Sequence, residues 1–503
     1  MNRFASNVLL RTLPAMLAGS LLLAGCSSGG SGDTGTKEAG EDGSGGLKPV
    51  QLSWYYPATA GVPADLKMIE DAVNQITKAK INATVKLNAV SSGDYNQKMN
   101  TSVASGEEFD ILWTSNWNFD YVQNQSKGAF IALDELIDRY APEVKKSMPD
   151  FVWEATKIDG KIYGVPNYQT VTNREGFVLQ KRYLDKYNFD PAQLKKIEDI
   201  EPLLAKLKEN EKDVIPFMLD RKGKFGNMLR TYNLENVING IAVINLNNPD
   251  KIVNMYDTPE YKAYLDLMRS WYNKGYINED AATLKNGNDY TKVGKTAVSY
   301  HNVLKPGGEQ EAKVSSGGLD HVYAPLTEVY TGTNTIITTM QAISRTSKNP
   351  ERAMMFINLV NTDKELFNLL SFGIEGKHYT KNADGTIKIN KDAGYAAADW
   401  VFGNVFNGIP IEGKAPDIFE QTKKENESAK PSPIMGFKFK ADPVAAEVAN
   451  INAVVDEFGP GLNTGIVDPS KLGEFQEKLK KAGMDKVVAE AQKQLDEWKK
   501  TKK

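Results

Sequence analysis

The 503-residue chain contains one cysteine and three histidines, His301, His321 and His378, no two of them within helical spacing. That shortage excludes an internal disulfide, a CxxC pair, a zinc finger and an iron–sulfur site, which all need several thiols or imidazoles. A metal site built from carboxylates alone stays open, but no ligand spacing signals one, and no cofactor is expected. Charge of one sign is also missing. With 61 Lys+Arg against 64 Asp+Glu the net charge is −3, so the chain lacks the basic face that a dedicated nucleic-acid binder needs. No internal repeat occurs and no Gly-x-Ser-x-Gly elbow, which argues against a serine hydrolase of that type. What is present is globular material, 41% hydrophobic and 25% charged, enough for two large domains or about three of roughly 150 residues.

The single cysteine, Cys26, has a telling position. Arg3 and Arg11 precede an uncharged apolar stretch, Thr12 to Ala24, of 13 residues. A transmembrane helix needs about 20, whereas a signal-peptide core needs roughly 7–15. The stretch ends in Leu23-Ala24-Gly25-Cys26, which resembles the bacterial lipobox. That resemblance implies cleavage before Cys26 and a lipid on its sulfur, each buried CH₂ of the acyl chains contributing about 0.8 kcal/mol. Removing residues 1–25 leaves 59 basic against 64 acidic side chains, a net charge of −5, and no later run is apolar enough to span a bilayer. Residues 27–48 carry eight Gly and four Ser in 22 positions and no aromatic. Such a segment cannot bury enough surface to fold and reaches on the order of 25 Å as a coil. The expectation is a leader at 1–25, an anchor and linker at 26–48, and a tethered extracytoplasmic body.

The body opens with alternating and helical patterns. Val50 to Trp54 alternates as a strand before Pro57. Leu66, Ile69, Val73 and Ile76 share a helix face, Thr84 to Val90 alternates again, Tyr95 to Ala104 reads as a helix and Phe109 to Trp113 as a buried strand. This order implies βαβ units and a mainly parallel sheet, with ligands beyond the carboxyl ends of its strands. Asp159-Gly160 predicts a hairpin turn and Ile336 to Ile343 a strand. Asn349-Pro350 opens a helix with Ala353, Phe356, Ile357 and Val360 on one face. The C-terminus reads as helices, the first with Val444, Val448, Ile451, Val455 and Phe458 and stopped by Gly459-Pro460-Gly461. Asp468-Pro469 starts the next, and Val487, Ala491, Leu495 and Trp498 mark the last.

Ordered motifs then point to a family. Asp159-Gly160-Lys161-Ile162-Tyr163-Gly164-Val165-Pro166, Gly294-Lys295-Thr296-Ala297 and Ser347-Lys348-Asn349-Pro350-Glu351-Arg352-Ala353 resemble segments of the extracellular solute-binding proteins for sugars, the lipoprotein subunits of ABC importers. Gly373 to Tyr379, Trp400 to Asn404 and Ser432 to Phe437 resemble a C-terminal module on one lipoprotein branch. The resemblance spans 49–498. It implies an α/β, two-lobed, periplasmic-binding-protein-like (type II) fold with hinge crossovers and a cleft between lobes. The first crossover would follow Tyr163 to Pro166 and the return would lie near Thr333 to Met340. One lobe would comprise 49–165 plus about 335–380, the other about 170–332 plus 381–503 with the helical module.

A sugar has a hydroxyl rim and an apolar C–H face, so its site wants flat aromatic platforms beside paired hydrogen-bonding groups. Trp54, Tyr55 and Tyr56 end one strand and Trp113, Asn116 and Trp117 leave another, and each aromatic is ligand contact or core. Tyr168 is hinge packing or contact. Related proteins often supply an aromatic where this chain offers Tyr300 and His301. Glu375, His378 and Tyr379 fall in a Gly-punctuated loop, and Trp400, Phe402 and Asn404 wall the cleft or pack a lobe. Other patterns fail. Gly294-Lys295-Thr296 lacks the earlier glycine of a phosphate loop, its place being taken by Asp289. The glycines from Gly459 to Gly465 miss the dinucleotide spacing, and Asn382 to Thr386 lacks the remaining ligands of a calcium loop.

The reading is a monomeric, lipid-anchored protein on the extracytoplasmic face of the cell membrane, with no catalytic residues. It captures a carbohydrate, an oligosaccharide by preference, and delivers it to ABC permease subunits. Alternatives are a binder of peptides or other polar solutes, an anchored glycoside hydrolase, or a purely sensory lipoprotein.

Overall fold

The computed structural model describes residues 46–285, 287–390 and 392–502. The leader, Cys26 and most of the linker lie outside them. The described residues belong to the unit Gly43–Lys503 and build two main cores, each around its own sheet.

The first sheet runs Ala83–Ser91, Val50–Ala58, Ile111–Thr114, Met340–Ile343, Val165–Pro166. Its first three strands are parallel, and Met340–Ile343 lies antiparallel between its neighbours. Parity along Val50–Ala58 decides its packing: Leu52, Trp54 and Tyr56 share one face and are buried. Helix Leu66–Ile81 covers the sheet with Ile69, Val73 and Ile81. Helix Pro350–Thr362 adds Ala353, Phe356, Ile357 and Val360. Trp54 is the centre of this core, with Tyr56, Phe356 and Phe402 at ring distances of 5.0, 5.2 and 5.7 Å.

The second sheet has the order His321–Pro325, Gly176–Gln180, Thr296–His301, Ile215–Phe217. Phe177, Phe217, Trp271 and Tyr300 pack edge to face in its core. A three-stranded ribbon, Leu234–Ile238, Ala242–Asn245 and Asn248–Asn254, joins this lobe. The C-terminal helices Ala445–Asn463, Leu472–Lys481 and Met484–Thr501 pack on it as part of the same core.

Three segments cross between the lobes, and they are hydrogen-bonded to each other. Asn173 N donates to Tyr330 O (2.7 Å), and Tyr330 N returns a bond to Asn173 O (2.9 Å). Tyr330–Thr331 pairs in parallel with Lys430–Pro431. The hinge is therefore a braid of all three crossovers.

Three expectations need correction. Residues 381–428 were expected in the second lobe, yet Tyr395, Val401, Phe402, Val405 and Phe406 belong to the first core, so the third crossing comes near Lys430. This stretch is Gly/Pro-punctuated and carries no period that could assign a lobe. The expected strand from Ile336 begins instead with a helical turn, Thr333–Ile336, and only Met340–Ile343 is strand. Gly459-Pro460-Gly461 does not end its helix, which runs from Ala445 to Asn463. An internal proline removes one helical bond at a cost of about 3 kcal/mol. Here the turn beyond it is anchored, because Tyr261 OH donates to Asn463 Oδ1 (2.8 Å) and Tyr264 OH to Asn463 O (2.7 Å).

Candidate ligand cleft

A cavity of about 500 Å³ lies against the hinge braid. Its walls come from crossover residues 169–175 and 332–338, from 226–239 and 302–305 of the second lobe, and from 434–439 at the start of the C-terminal module. Six lining residues are asparagines: Asn173, Asn227, Asn236, Asn239, Asn302 and Asn334. An amide both donates and accepts, which suits it to hydroxyls. Asn236, one of the lining residues, has its Oδ1 buried without a hydrogen-bond partner.

Glu175 organises the floor. It is 2% exposed. Its Oε1 accepts from Arg230 N (3.0 Å) and Tyr330 OH (2.9 Å), and its Oε2 from Thr231 N (2.8 Å) and Thr231 Oγ1 (2.9 Å). Tyr300 OH reaches the same Oε2 at 3.5 Å. Burial raises the Glu175 carboxyl above its ordinary range, with these donors pulling against it. The Arg230 guanidinium lies over the Tyr330 ring at 4.3 Å and its Nη1 donates to Glu235 Oε2 (2.9 Å). Glu235, also raised by burial, accepts from Ser432 Oγ. Both carboxylates are committed to neighbours within the protein.

Each cation at the cavity is likewise engaged. Arg230 pairs with Glu235, Lys305 with Glu311 (3.1 Å), and Lys438 Nζ donates to Lys157 O (2.7 Å). Burial pushes the Lys438 ammonium down from 10.5 to about 7.

An aromatic platform adjoins this cavity on the first lobe. Trp117, 55% exposed, sits 5.5 Å from Trp113 and 6.2 Å from Trp400 between ring centroids, and Trp113 lies 6.1 Å from Trp400. Trp117 Nε1 donates to Thr338 O (2.9 Å) and Asn116 Nδ2 to Asn334 O (2.8 Å), and both Thr338 and Asn334 line the cavity. Trp113 Nε1 donates to Thr339 Oγ1 (2.7 Å), which donates to Trp400 O (3.0 Å). The structure thus brings Asn116, Trp117 and Trp400 together, with Trp113 fully buried beneath them as first-lobe core.

The other residues singled out in the sequence lie elsewhere. Trp54 and Tyr56 are first-lobe core by the parity of their strand, and Phe402 packs against both. Tyr55 points the other way and donates to Glu107 Oε1 (2.9 Å), with burial and that carboxylate pushing its phenol up to about 12. Tyr168 packs on Phe406 at 5.0 Å. Tyr300 is fully buried beneath the cavity, supporting Thr231 and Glu175. His301 is exposed at the end of its strand. Asn404 Oδ1 caps the turn after it by accepting from Phe406 N (3.1 Å). Glu375 and Tyr379 line a separate groove on the first lobe. His378 is fully buried, accepts from Ile374 N at Nδ1 (2.9 Å) and so donates from Nε2 to Asp65 Oδ2 (3.1 Å).

The second-lobe wall, Arg230 to Asn239 with Asn302 and Lys305, was not anticipated. It lies in loops and a short ribbon strand without any motif. The crossover itself carried a usable signal, since Gln169-Thr170-Val171-Thr172-Asn173-Arg174-Glu175 is a polar run directly after the recognised Tyr163 to Pro166 segment. Among the described residues, no group of three or more His, Cys, Asp or Glu could hold a metal ion, and no helix is long and apolar enough to cross a membrane.

Comparison with known proteins agrees with this architecture. A family description, bacterial extracellular solute-binding protein, matches residues 71–371. A domain of unknown function, DUF3502, matches 433–500. A carbohydrate ABC transporter substrate-binding protein of Streptococcus pneumoniae is 32% identical over 96% of this chain and 97% of its own length. The crystal structure of the N-glycan transport solute binding protein NgtS from the same organism superposes with a TM-score of 0.80 at 30% identity, covering 91% of this chain and 100% of that one. Its complex with Man5GlcNAc gives 0.68 at 30% identity over 91% and 100%.

Proposed function

Because the chain belongs to the bacterial extracellular solute-binding proteins, we propose that it captures an oligosaccharide outside the cytoplasm and delivers it to an ABC permease. The observation that carries this reading is one juxtaposition: Trp117 and the partly exposed Trp400, backed by the buried Trp113, beside an asparagine-rimmed cavity at the hinge. Rings of this kind contribute about 0.5–1.5 kcal/mol each beyond area burial, and amides meet the hydroxyl rim. The near full-length likeness to a protein crystallised with Man1GlcNAc and Man5GlcNAc supports a glycan of that class. The lipobox-like segment before Cys26 supports a lipid anchor. Ligand that touches both walls shifts the population toward closure by its differential affinity.

Isothermal titration of the purified mature chain with Man5GlcNAc, beside a panel of peptides, tests the proposal. The expected result is saturable glycan binding near the micromolar range, about −8 kcal/mol, with no cleavage of a labelled glycan on prolonged incubation. Binding of peptides in its place overturns the carbohydrate reading, and turnover overturns the reading as a transport binder.

A further inference from the structure

The C-terminal module touches the first lobe at a point outside the three crossovers. Lys438 Nζ donates to Lys157 O (2.7 Å). Lys440 Nζ pairs with Asp159 at 2.8 and 3.0 Å from its two oxygens. Lys502 pairs with Glu154. Every first-lobe partner lies between 154 and 159, and every partner from the other side is a lysine. Lys440 is itself held by the last helix: Lys440 N donates to Gln494 Oε1 and Gln494 Nε2 to Lys440 O, both at 2.9 Å. Trp498 of that helix packs on Phe437 at 5.8 Å.

This contact backs directly onto the ligand cavity. Phe437 and Lys438 line the 500 Å³ cavity on one side and a second cavity of about 670 Å³ on the other, between the module and the Glu154–Gly160 segment. The first-lobe end is a tight turn, with positive φ at Asp159 and Gly160 (50° and 80°) and closed by the Ile158–Lys161 bridge.

We propose that the C-terminal module is an interlobe clamp, whose lysines fasten the first-lobe turn beside the ligand cavity and oppose closure. The inference rests on the capture-and-closure reading above and gives the 433–500 segment a role. Partly exposed ion pairs are individually weak, so the clamp biases the equilibrium and does not lock it. It is fastened in a structure that superposes better on NgtS crystallised with no ligand named (TM-score 0.80) than on NgtS in complex with Man5GlcNAc (0.68), so loosening it favours the closed form.

The test uses Asp159→Asn, Lys440→Gln and the double variant in the full mature chain. Neither residue lines the ligand cavity, and asparagine tolerates the left-handed backbone at 159. Titration with Man5GlcNAc is expected to show each single variant binding about two- to fivefold tighter, a range in keeping with the small worth of one such pair. The double variant should be no tighter than the better single one, since both break the same pair. Small-angle scattering of the unliganded singles should move toward the compact liganded profile. Unchanged or weakened binding, or effects that multiply in the double variant, overturn the clamp. If wild-type chain fails to bind the glycan, the proposed function falls separately, and the unliganded scattering still decides the clamp.

Discussion

Glu175 is where the wall of the cavity and the hinge are joined, and its replacement has a computable consequence. Its two oxygens receive two backbone N–H groups, Arg230 N and Thr231 N, and three hydroxyls, from Thr231, Tyr330 and Tyr300. In Glu175→Ala the hydroxyls can rotate toward one another, but the two backbone donors cannot. A buried donor left unpaired costs about 1–3 kcal/mol, so two of them with the vacated volume cost about 3–5 kcal/mol. For a lobe of about 200 residues each kcal/mol lowers Tm by roughly 2–4 °C, which predicts a fall of roughly 6–20 °C. Glu175→Gln keeps one oxygen and orphans one backbone donor, so its loss should be about half.

The pH dependence has a definite sign. Burial lifts the Glu175 carboxyl above its ordinary value, so the folded state holds the proton to higher pH than the unfolded one. Wild-type stability therefore falls, relative to Glu175→Gln, as pH rises from about 4.5 through the raised value. Calorimetry across that range measures both effects. A Glu175→Ala Tm within about 2 °C of wild type, or a Gln variant as damaged as the Ala variant, would refute the account of Glu175 as the shared acceptor.

Two further outcomes are expected. Trp117→Ala should weaken Man5GlcNAc binding about two- to tenfold, the worth of one aromatic platform, and leave Tm nearly unchanged because the ring is 55% exposed; unaltered affinity in titration would remove it from the site. Lys438→Met should abolish a pH slope, because the depressed ammonium (10.5 to about 7) makes wild type gain stability as pH climbs between those values. At 1.36 kcal/mol per pH unit the gain is at most about 5 kcal/mol, and urea unfolding at pH 7 and pH 9.5 checks it, equal slopes for both proteins counting against the burial of that charge.

The first lobe was readable because its strands alternate and its helices have clear faces, so Val50–Ala58, Leu66–Ile81 and Ala83–Ser91 fall close to where the pattern puts them. The same alternation held information about Trp54 and Tyr56. Both share parity with Leu52, so all three face one way, and in a sheet covered by helices that way is the core. Tyr55, of opposite parity, is the one left half-buried at the surface. Aromatic crowding at a strand end is therefore weaker evidence of a site than parity is of a core. Trp117 differs because it lies beyond the strand, past Thr114, where alternation no longer applies. The second-lobe wall was hidden for another reason: Arg230 acquires meaning only through partners far away in the chain, Glu175 and Tyr330 of the crossovers, and Asn236 only through the cavity it lines.

Those partners also connect the proposed closure to binding. Asn173 and Tyr330 pair the first two crossovers through their backbones, and their side chains line the cavity. Tyr330 donates to Glu175, and Glu175 holds the backbone of Arg230 and Thr231 on the second lobe. On the other side, Asn334 and Thr338 receive Asn116 and Trp117 from the first lobe. A rotation at the braid carries these groups with it, since each is hydrogen-bonded to a crossover. On the proposed reading, a solute that contacts both sets favours the closed arrangement by its differential affinity for it.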